Sequence, residues 1–314
     1  MKIVYMGTPD FAVPPLRALL EAGHEITAVV CQPDRAKGRS SEPKPCPVKE
    51  CALEHGLNIF QPEKIKRPEA VEALREIPAD VFVVAAFGQI LSAEILNMPR
   101  LGCVNIHASL LPKYRGAAPI QRAVIDCEEK SGVSIMQMDE GIDTGDILMQ
   151  REYVLAADET GGSLFDRLAE LGAELIVEAL PLLEAGKLVP RKQKDEESSY
   201  AGMLKKEDGI LDFSKSAAEL ERLVRGLNPW PVASASFRGK GIKIWKSECV
   251  PGSVGENSAA AEAGTIVRVE KGALDVACGS GILRITELQQ EGKKRMSAAD
   301  YLRGVHPECG EKLG

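Results

Sequence analysis

The first twenty residues, MKIVYMGTPDFAVPPLRALL (1–20), decide the fold class. Residues 2–6 form a short apolar run that stops at Gly7, and three leucines follow at helical spacing within 14–22. Continuous apolar strands that alternate with amphipathic helices are typical of a mostly parallel sheet covered on both faces, so we expect an α/β, Rossmann-like domain. The alternation continues with predicted strands at 26–31 and 81–85 and a predicted helix at 48–55.

The composition changes abruptly after residue 189. Residues 190–208 are polar, charged and without periodicity, which is typical of a linker. Short alternating runs separated by glycine-containing turns then predict a small, OB-like β-barrel. The sequence therefore predicts an α/β domain at 1–189, a linker at 190–208 and a barrel domain at 209–314, whose strands fall near 233–237, 242–245, 264–269, 274–278 and 282–288.

The overall composition excludes several classes of protein. Of the 314 residues, 44% are apolar and 27% are charged, which is typical of a soluble globular protein and not of a disordered or fibrous one. No apolar run has the length of a membrane span, and the first residues lack a signal peptide, so we expect a cytoplasmic protein. The eight cysteines include no C-x-x-C pair, which indicates free thiols and no zinc site.

Familiar nucleotide and hydrolase motifs are absent. The first strand is followed by MGTPDFA instead of G-x-G-x-x-G, and no G-x-x-x-x-G-K-[ST] loop occurs. Neither G-x-S-x-G nor H-E-x-x-H occurs. NAD, ATP, serine-hydrolase and zinc-protease chemistry therefore have no support in the sequence.

One of the four histidines stands in a position that favours catalysis. His107 ends the apolar strand CVNIH, and Asn105 lies two residues earlier, so both side chains share one face of the strand. Ligand sites of α/β sheets collect at the carboxyl ends of strands. A strand histidine is commonly a satisfied core residue, but the neighbouring asparagine and the following SLLP turn favour a functional role.

A second candidate segment is the acidic loop in MQMDEGIDTGDIL (136–148). It could be a solvated loop; a calcium site is less suited because the D-x-[DN]-x-[DN]-G spacing is absent. A carboxylate of this loop could also reach back to His107 and orient its ring. Asparagine, histidine and aspartate together suit acyl transfer without a protein nucleophile, since asparagine can donate to a developing oxyanion while the other two manage the proton.

The runs around these residues carry a resemblance to a known family. NIHASLLPKYRGAAPIQRA (105–123) and GVSIMQMDEGIDTGDIL (132–148) closely resemble the folate-dependent formyltransferases. The patterns N-x-H-x-S-L-L-P and D-x-x-x-D-x-G mark the wider family. The RGAAPIQRA run and C-terminal segments such as RGLNPWPVA (225–233) point within it to the enzymes that act on tRNA. The resemblance spans nearly the whole chain.

The resemblance implies roles for individual residues. Its catalytic residues would be Asn105, His107 and Asp143, and no metal is implied. Judged from the residues alone, the turn at 110–112 suits a flat heteroaromatic ligand, or it is simply a buried core turn. The folate-binding residues implied by the family are Ser109, Leu110, Leu111, Pro112, Phe87 and Gly88.

The charge distribution bears on nucleic-acid binding. The net charge of the chain is −7, yet residues 187–246 carry 13 bases and 8 acids. Within them, residues 224–247 contain five bases and no acid, interleaved with two tryptophans, which suits a phosphate backbone or a solvated face. The resemblance implies that Arg39 binds tRNA, and it favours tRNA binding over a solvated face for Lys240, Lys243 and Lys246. After Arg39 the sequence departs from the family, because SSEP stands where glycine and lysines are frequent.

The resemblance also implies the substrates. The formyl donor would be 10-formyltetrahydrofolate, and the acceptor would be the α-amine of methionine on initiator tRNA. Nothing in the sequence demands more than a monomer, so we expect one. A formyltransferase that acts on a nucleotide-linked amino sugar is the alternative, because it shares both patterns. A non-catalytic RNA-binding protein is a rival from another class; it predicts RNA affinity without formyl transfer.

Overall fold

Two compact units make up the molecule, and each is assembled from three separate stretches of chain. The computed structural model describes residues 1–36, 42–250, 261–270 and 272–314. The first unit comprises Met1–Pro119, Lys130–Val154 and Phe165–Ala201, and the second comprises Ile120–Glu129, Leu155–Leu164 and Gly202–Gly314. Residues 190–201 of the predicted linker belong to the first unit. The division at residues 189 and 209 remains a prediction about independently folding domains.

The first unit is built on a seven-stranded sheet with the order β10-β9-β7-β6-β1-β2-β5. The strands β5, β2, β1, β6 and β7 are parallel to one another, whereas β9 is antiparallel to both of its neighbours, β7 and β10. In chain order the strands of this unit are β1 (Lys2–Gly7), β2 (Glu25–Val30), β3 (Arg35–Ala36), β4 (Pro43–Lys44), β5 (Ile59–Phe60), β6 (Val81–Ala85), β7 (Cys103–His107), β8 (Arg115–Gly116), β9 (Lys130–Gln137), β10 (Ile147–Val154) and β11 (Tyr200–Ala201).

Burial and strand order fix where a ligand can approach this sheet. Every residue of β6 and β7 is buried, as expected for strands covered on both faces. The chain runs from β1 outward through β2 to β5 and then returns to β6 on the other side of β1. Such a reversal opens a crevice at the carboxyl ends of the two strands beside it, here β1 and β6.

Eight α-helices are formed by the described residues. Several begin with proline in their first turn, where the missing N–H costs no hydrogen bond. The longest, α6, begins in the second unit and continues in the first. In chain order the helices are α1 (Val13–Glu21), α2 (Pro47–Glu54), α3 (Pro68–Arg75), α4 (Ala93–Leu96), α5 (Pro119–Ile125), α6 (Gly161–Glu184), α7 (Ala217–Gly226) and α8 (Ala298–Val305).

The second unit contains an antiparallel barrel. Its strands have the order β12-β13-β16-β15-β14, and a short strand, β17, pairs with β16. Residues 310–314 close it, because they hydrogen bond to Ile266 in β14 and to Ser236 in β12. The strands are β12 (Ala233–Phe237), β13 (Lys240–Val250), β14 (Ile266–Glu270), β15 (Ala273–Ala277), β16 (Ile282–Gln290) and β17 (Met296–Ser297).

Two earlier stretches of chain pack into this second unit. The Arg225 guanidinium donates to the Glu159 carbonyl oxygen at 2.8 Å. The Arg222 guanidinium donates to the Ile125 carbonyl oxygen at 3.2 Å. Residues 120–129 and 155–164 are thus hydrogen bonded to α7 and form part of the same unit.

The fold predicted from the sequence is confirmed. The mostly parallel sheet lies in the first half of the chain and the antiparallel barrel in the second. Among the residues that the structure describes, no helix combines the length and apolar character needed to cross a membrane.

Candidate active site

Strand β7 presents two polar side chains on one face of the first unit's sheet. Asn105 is 9% exposed and His107 is 6% exposed, so both are largely buried. Asp143 belongs to the loop between β9 and β10. Because β9 runs antiparallel to β7, its carboxyl end pairs with the start of β7, and the loop folds back along β7 to reach His107.

The three predicted catalytic residues come together. The Asp143 Oδ1 atom lies 3.6 Å from the His107 Nδ1 atom, and the Asn105 amide donates to the same oxygen at 3.4 Å. The other carboxylate oxygen of Asp143 accepts the Gly116 backbone N–H at 2.8 Å. The contacts of Oδ1 are long for hydrogen bonds, as catalytic contacts commonly are before substrate binds.

The surroundings of the His107 ring define which atoms carry hydrogen. Its Nε2 atom lies 2.9 Å from the Tyr114 carbonyl oxygen, which can only accept, so Nε2 must donate. Its Nδ1 atom faces the Asp143 carboxylate, which also accepts when it is ionised. A ring that carried hydrogen on Nδ1 as well would face an acceptor on both sides, and its charge would help to stabilise negative charge on a substrate.

Gly116 is required by the backbone geometry beside Asp143. Its φ of +106° lies in the region that favours glycine, and an added Cβ would lie 2.8 Å from the Ala201 carbonyl oxygen. The glycine of the RGAAP run therefore places its N–H against the carboxylate.

The SLLP turn after β7 is held from inside the protein. Ser134, fully buried on β9, donates to the Ser109 carbonyl oxygen at 2.7 Å and accepts the Leu111 backbone N–H at 3.1 Å. The Gln150 amide donates to the Leu111 carbonyl oxygen at 2.9 Å. Ser109 and Leu111 are buried, whereas Leu110 and Pro112 are half-buried, so only the latter two offer side-chain surface to a ligand.

The loop after β6 is also anchored by a buried residue. Phe87 is 2% exposed and packs into the core, while its carbonyl oxygen accepts hydrogen bonds from Thr8 and Gln32. Gly88 is exposed. Two other apolar side chains, Ile90 in this loop and Ile142 beside Asp143, are 59% and 53% exposed. Exposed isoleucines in both loops offer apolar surface to a flat ligand.

A cavity of about 530 Å³ opens at the crevice between β1 and β6. Its wall combines the loops that follow β1, β2 and β6 with the N-terminus of α2, and it includes the cations Arg35 and Lys44. The complete set of lining residues is Thr8, Pro9, Gln32, Pro33, Arg35, Ala36, Lys44, Pro45, Cys46, Pro47, Ala86, Phe87 and Gly88.

Three of the four predicted tRNA-binding residues are described by the structure. Arg39 lies outside the described residues. Lys240, Lys243 and Lys246 are all exposed on β13 of the second unit, and none forms an ion pair with another described residue. Beside them the Arg295 guanidinium stacks 4.6 Å from the centre of the Trp245 ring. This face of the barrel offers cations and an aromatic ring together.

Among the residues that the structure describes, one group of side chains has the spacing of metal ligands. Atoms of Cys51, Glu54 and His55 on and beside α2 lie within 4.8 Å of one another. The Arg17 guanidinium pairs with the Glu54 carboxylate at 3.2 Å, so a cation already lies beside this group.

Sequence reasoning missed three residues that complete the site: Tyr114, Gly116 and Gln193. The RGAAP run signalled Gly116 only as a family mark, and nothing signalled Tyr114. Gln193 lies in the predicted linker, yet its amide donates to the backbone oxygens of Asp143 and Gly145 at 2.9 and 2.7 Å.

Comparison with known families accounts for both units. Residues 1–180 match the family model described as formyl transferase, and residues 203–306 match the formyl transferase C-terminal domain. Together with the fold and the Asn105, His107 and Asp143 cluster, these matches define a formyl transferase, an enzyme that moves a formyl group.

Curated relatives show to which group of formyl transferases the chain belongs. A methionyl-tRNA formyltransferase of Lachnospira eligens is 54% identical over 314 residues, which are 100% of both chains. One of Geobacter metallireducens is 49% identical over 314 residues, covering 100% of this chain and 99% of its own. The chain belongs to the methionyl-tRNA formyltransferase family.

More distant solved structures share the fold. An N-formyltransferase from Helicobacter canadensis, solved with folinic acid and dTDP-3-aminofucose, has a TM-score of 0.67 at 20% identity, covering 94% of this chain and all of its own. HypX from Aquifex aeolicus, solved with tetrahydrofolic acid, has a TM-score of 0.64 at 17% identity, covering 99% of this chain and 48% of its own.

Proposed function

We propose that the protein transfers the formyl group of 10-formyltetrahydrofolate to the α-amine of methionine on initiator tRNA and releases tetrahydrofolate. The observation that carries this proposal is the 54% identity, over the whole chain, to a methionyl-tRNA formyltransferase. The cluster of Asn105, His107 and Asp143 supports it, because it offers oxyanion donors and a proton acceptor without a protein nucleophile. We further infer a monomer that works in the cytosol.

In this proposal the three clustered residues divide the chemistry. The neutral amine attacks the formyl carbon and forms a tetrahedral intermediate. The Asn105 amide donates to its oxyanion, and the positive charge of a protonated His107 ring beside it stabilises the negative charge. Asp143 orients the ring and accepts a proton from the new ammonium centre, directly or through water, while the folate nitrogen N10 takes up a proton as it leaves.

The donor would occupy the surface between the loop after β6 and the Asp143 loop. Exposed Ile90 and Ile142 fit a flat pterin, because covering them removes apolar surface from water. Of the residues implied by the family, Leu110, Pro112 and Gly88 have accessible surface. Ser109, Leu111 and Phe87 would contribute through the shape that their buried side chains give to the two turns.

The acceptor would be bound through its phosphates. Lys240, Lys243 and Lys246 on the barrel would contact the tRNA backbone, where each phosphate contact releases counterions. Arg39 would also contribute, and β3 and β4, which precede and follow it in the sequence, bring the cations Arg35 and Lys44 to the 530 Å³ cavity.

The experiment that tests this function measures formyl transfer to three acceptors: methionyl initiator tRNA, a methionyl elongator tRNA and a nucleotide-linked amino sugar. Transfer to the initiator tRNA alone is expected. Transfer to the sugar with none to tRNA would establish the alternative formyltransferase reaction, and RNA binding without any transfer would establish a non-catalytic protein.

A further inference from the structure

The segment 190–201, which follows α6, returns across the Asp143 side of the first unit. Arg191 and Ile147 exchange two backbone hydrogen bonds at 2.9 Å, and the Arg191 guanidinium hydrogen bonds to Gln150, which holds the SLLP turn. Further along, Ser199 and Ala201 pair with the backbone around Arg115. The segment therefore contacts several of the loops that form the site.

Gln193 is the residue of this segment that reaches Asp143. Its side chain is half-buried, whereas Lys192 and Lys194 beside it are exposed. The Nε2 group donates to the carbonyl oxygens of Asp143 and Gly145 at 2.9 and 2.7 Å. Its Oε1 atom accepts from the Arg115 guanidinium at 3.0 Å, so both ends of the amide are occupied.

The backbone that Gln193 holds is one that needs support. Asp143 has a φ of +54°, in the left-handed region that costs energy for residues other than glycine. From this conformation the carboxylate reaches His107 and the Gly116 N–H. Arg115, which Gln193 also contacts, precedes Gly116, so the one amide links the two backbone segments whose relative position sets where the carboxylate lies.

We propose that Gln193 is a positioning residue for Asp143, and that its amide hydrogens fix the carboxylate in the orientation needed for formyl transfer. This inference rests on the proposed function. Gln193 touches no substrate in this scheme, so its loss should slow the chemical step and leave substrate binding unchanged. A misplacement of about 1 Å can cost up to about 100-fold in rate.

Two substitutions separate this role from a merely structural one. Gln193→Leu removes every hydrogen bond of the side chain. Gln193→Glu keeps the acceptor for Arg115 but replaces the two amide hydrogens by an oxygen that faces two carbonyl groups. If Gln193 positions Asp143, both variants fail alike; if it only anchors Arg115, the glutamate variant keeps its activity.

The experiment measures kcat and KM for formyl transfer to methionyl initiator tRNA, with the folded fraction from circular dichroism and with 5-formyltetrahydrofolate binding by calorimetry. We expect kcat to fall at least about 10-fold in both variants, with both KM values and the folate Kd within about twofold of the parent. Glu196→Leu, an exposed change in the same segment, is the matched control and should retain full kcat.

The outcomes are distinct. A near-normal kcat for Gln193→Glu, a change confined to KM, or a loss that only follows the folded fraction would overturn the positioning role. If the parent protein itself transfers no formyl group to any acceptor, the proposed function has failed, and the role of Gln193 fails with it. If the parent protein is active and both variants retain its kcat, the positioning role of Gln193 fails while the proposed function stands.

Discussion

At the scale of single residues, the ring of His107 and the carboxylate of Asp143 limit what the site can do. Both ring nitrogens face acceptors, and the carboxylate is held by the Gly116 N–H on its other oxygen. No serine or cysteine takes part in this cluster of contacts, so transfer proceeds directly between the two substrates in the proposed mechanism. Asn105 supplies a neutral amide donor beside these two groups.

Substitution of Asn105 tests the oxyanion role. Loss of one oxyanion donor typically costs ~2.7 to 4 kcal/mol, so Asn105→Ala should lower kcat ~100- to 1,000-fold. Folate affinity should be unchanged, which calorimetry with 5-formyltetrahydrofolate would check. Asn97→Ala, which removes an exposed amide that bonds only within its own turn, is the control; unchanged turnover in Asn105→Ala would remove the assignment.

Cys46 permits a second prediction at this scale. The Cys31 thiol, with the backbone N–H groups of Lys49 and Val48, lowers the pKa of the Cys46 thiol below its ordinary value. Cys46 lines the 530 Å³ cavity, so a small reagent can reach it. Since only the thiolate reacts, alkylation by iodoacetamide should stay fast at pH values where an ordinary thiol already reacts slowly, and should fall only at more acidic pH.

Mass spectrometry of the Cys46 peptide would give this rate from pH 5 to 9. In denaturant the profile should move to the ordinary thiol range near ~8.5, because the contacts are lost. A native profile that coincides with the denatured one would show that the folded environment does not stabilise the thiolate. Cys46→Ser confirms the assignment of the peptide.

At the scale of elements, the loop between β9 and β10 folds closely against its own strand. An added Cβ at Gly145 would lie 1.8 Å from the Gln137 carbonyl oxygen, and one at Gly141 would lie 1.9 Å from the Thr144 hydroxyl. Asp139 braces the loop by accepting from the Gly141 N–H at 3.0 Å and the Thr144 hydroxyl at 2.7 Å. The glycines in this loop therefore allow close packing, while Asp143, and not a glycine, adopts the left-handed backbone conformation.

Gly145→Ala should displace this loop and with it Asp143. We expect kcat to fall by about 100-fold while circular dichroism retains the parent spectrum, because the clash is local. Gly304→Ala is the matched control: a Cβ there meets nothing within 4 Å, and alanine stabilises a helix by up to about 1 kcal/mol over glycine. Equal activity in the two variants would contradict the loop's role.

The elements of the fold were largely predictable, because the spacing of apolar residues along the chain is a local signal. Alternation of apolar runs predicted β1, β2, β6 and β7, and the two-residue period placed Asn105 and His107 on one face. The role of Asp143 came from the family resemblance, and it remains a prediction. Tyr114 acts through its backbone carbonyl, which carries no residue-type signal.

Gln193 could not be found from sequence for a different reason. It contacts Asp143 across 50 positions, and polar composition does not distinguish an exposed linker from a segment whose backbone pairs with a site. The burial of Ser109, Leu111 and Phe87 was also inaccessible, since an apolar turn can face a ligand or the core. Composition indicates whether a segment is polar or apolar, whereas contacts with residues distant in the sequence decide which of its side chains are buried.

At the scale of the whole molecule, negative net charge coexists with a basic face on the barrel. The chain carries a charge of −7, while three lysines lie exposed along β13 without ion-pair partners among the described residues. Such a local concentration of charge is what an acidic protein needs in order to approach RNA.

Replacing Lys240, Lys243 and Lys246 by alanine should weaken tRNA binding and its salt dependence. If each lysine meets one phosphate, the slope of log affinity against log salt should fall by about one per residue. The turnover of saturating tRNA should be unchanged. Filter binding from 50 to 300 mM salt measures the slope; a Lys205, Lys206 and Lys215 triple alanine variant is the control, and an equal effect there would argue against a localised face.

The interleaving of the two units bears on how such enzymes can be recombined. Residues 120–129 and 155–164 are hydrogen bonded to α7 and belong to the second unit. In the sequence, however, both stretches come between segments of the first unit. A chimaera that grafts this barrel onto another formyltransferase through one junction near residue 202 would pair it with foreign versions of both pieces. Exchange of the intact second unit therefore calls for three coordinated transplants.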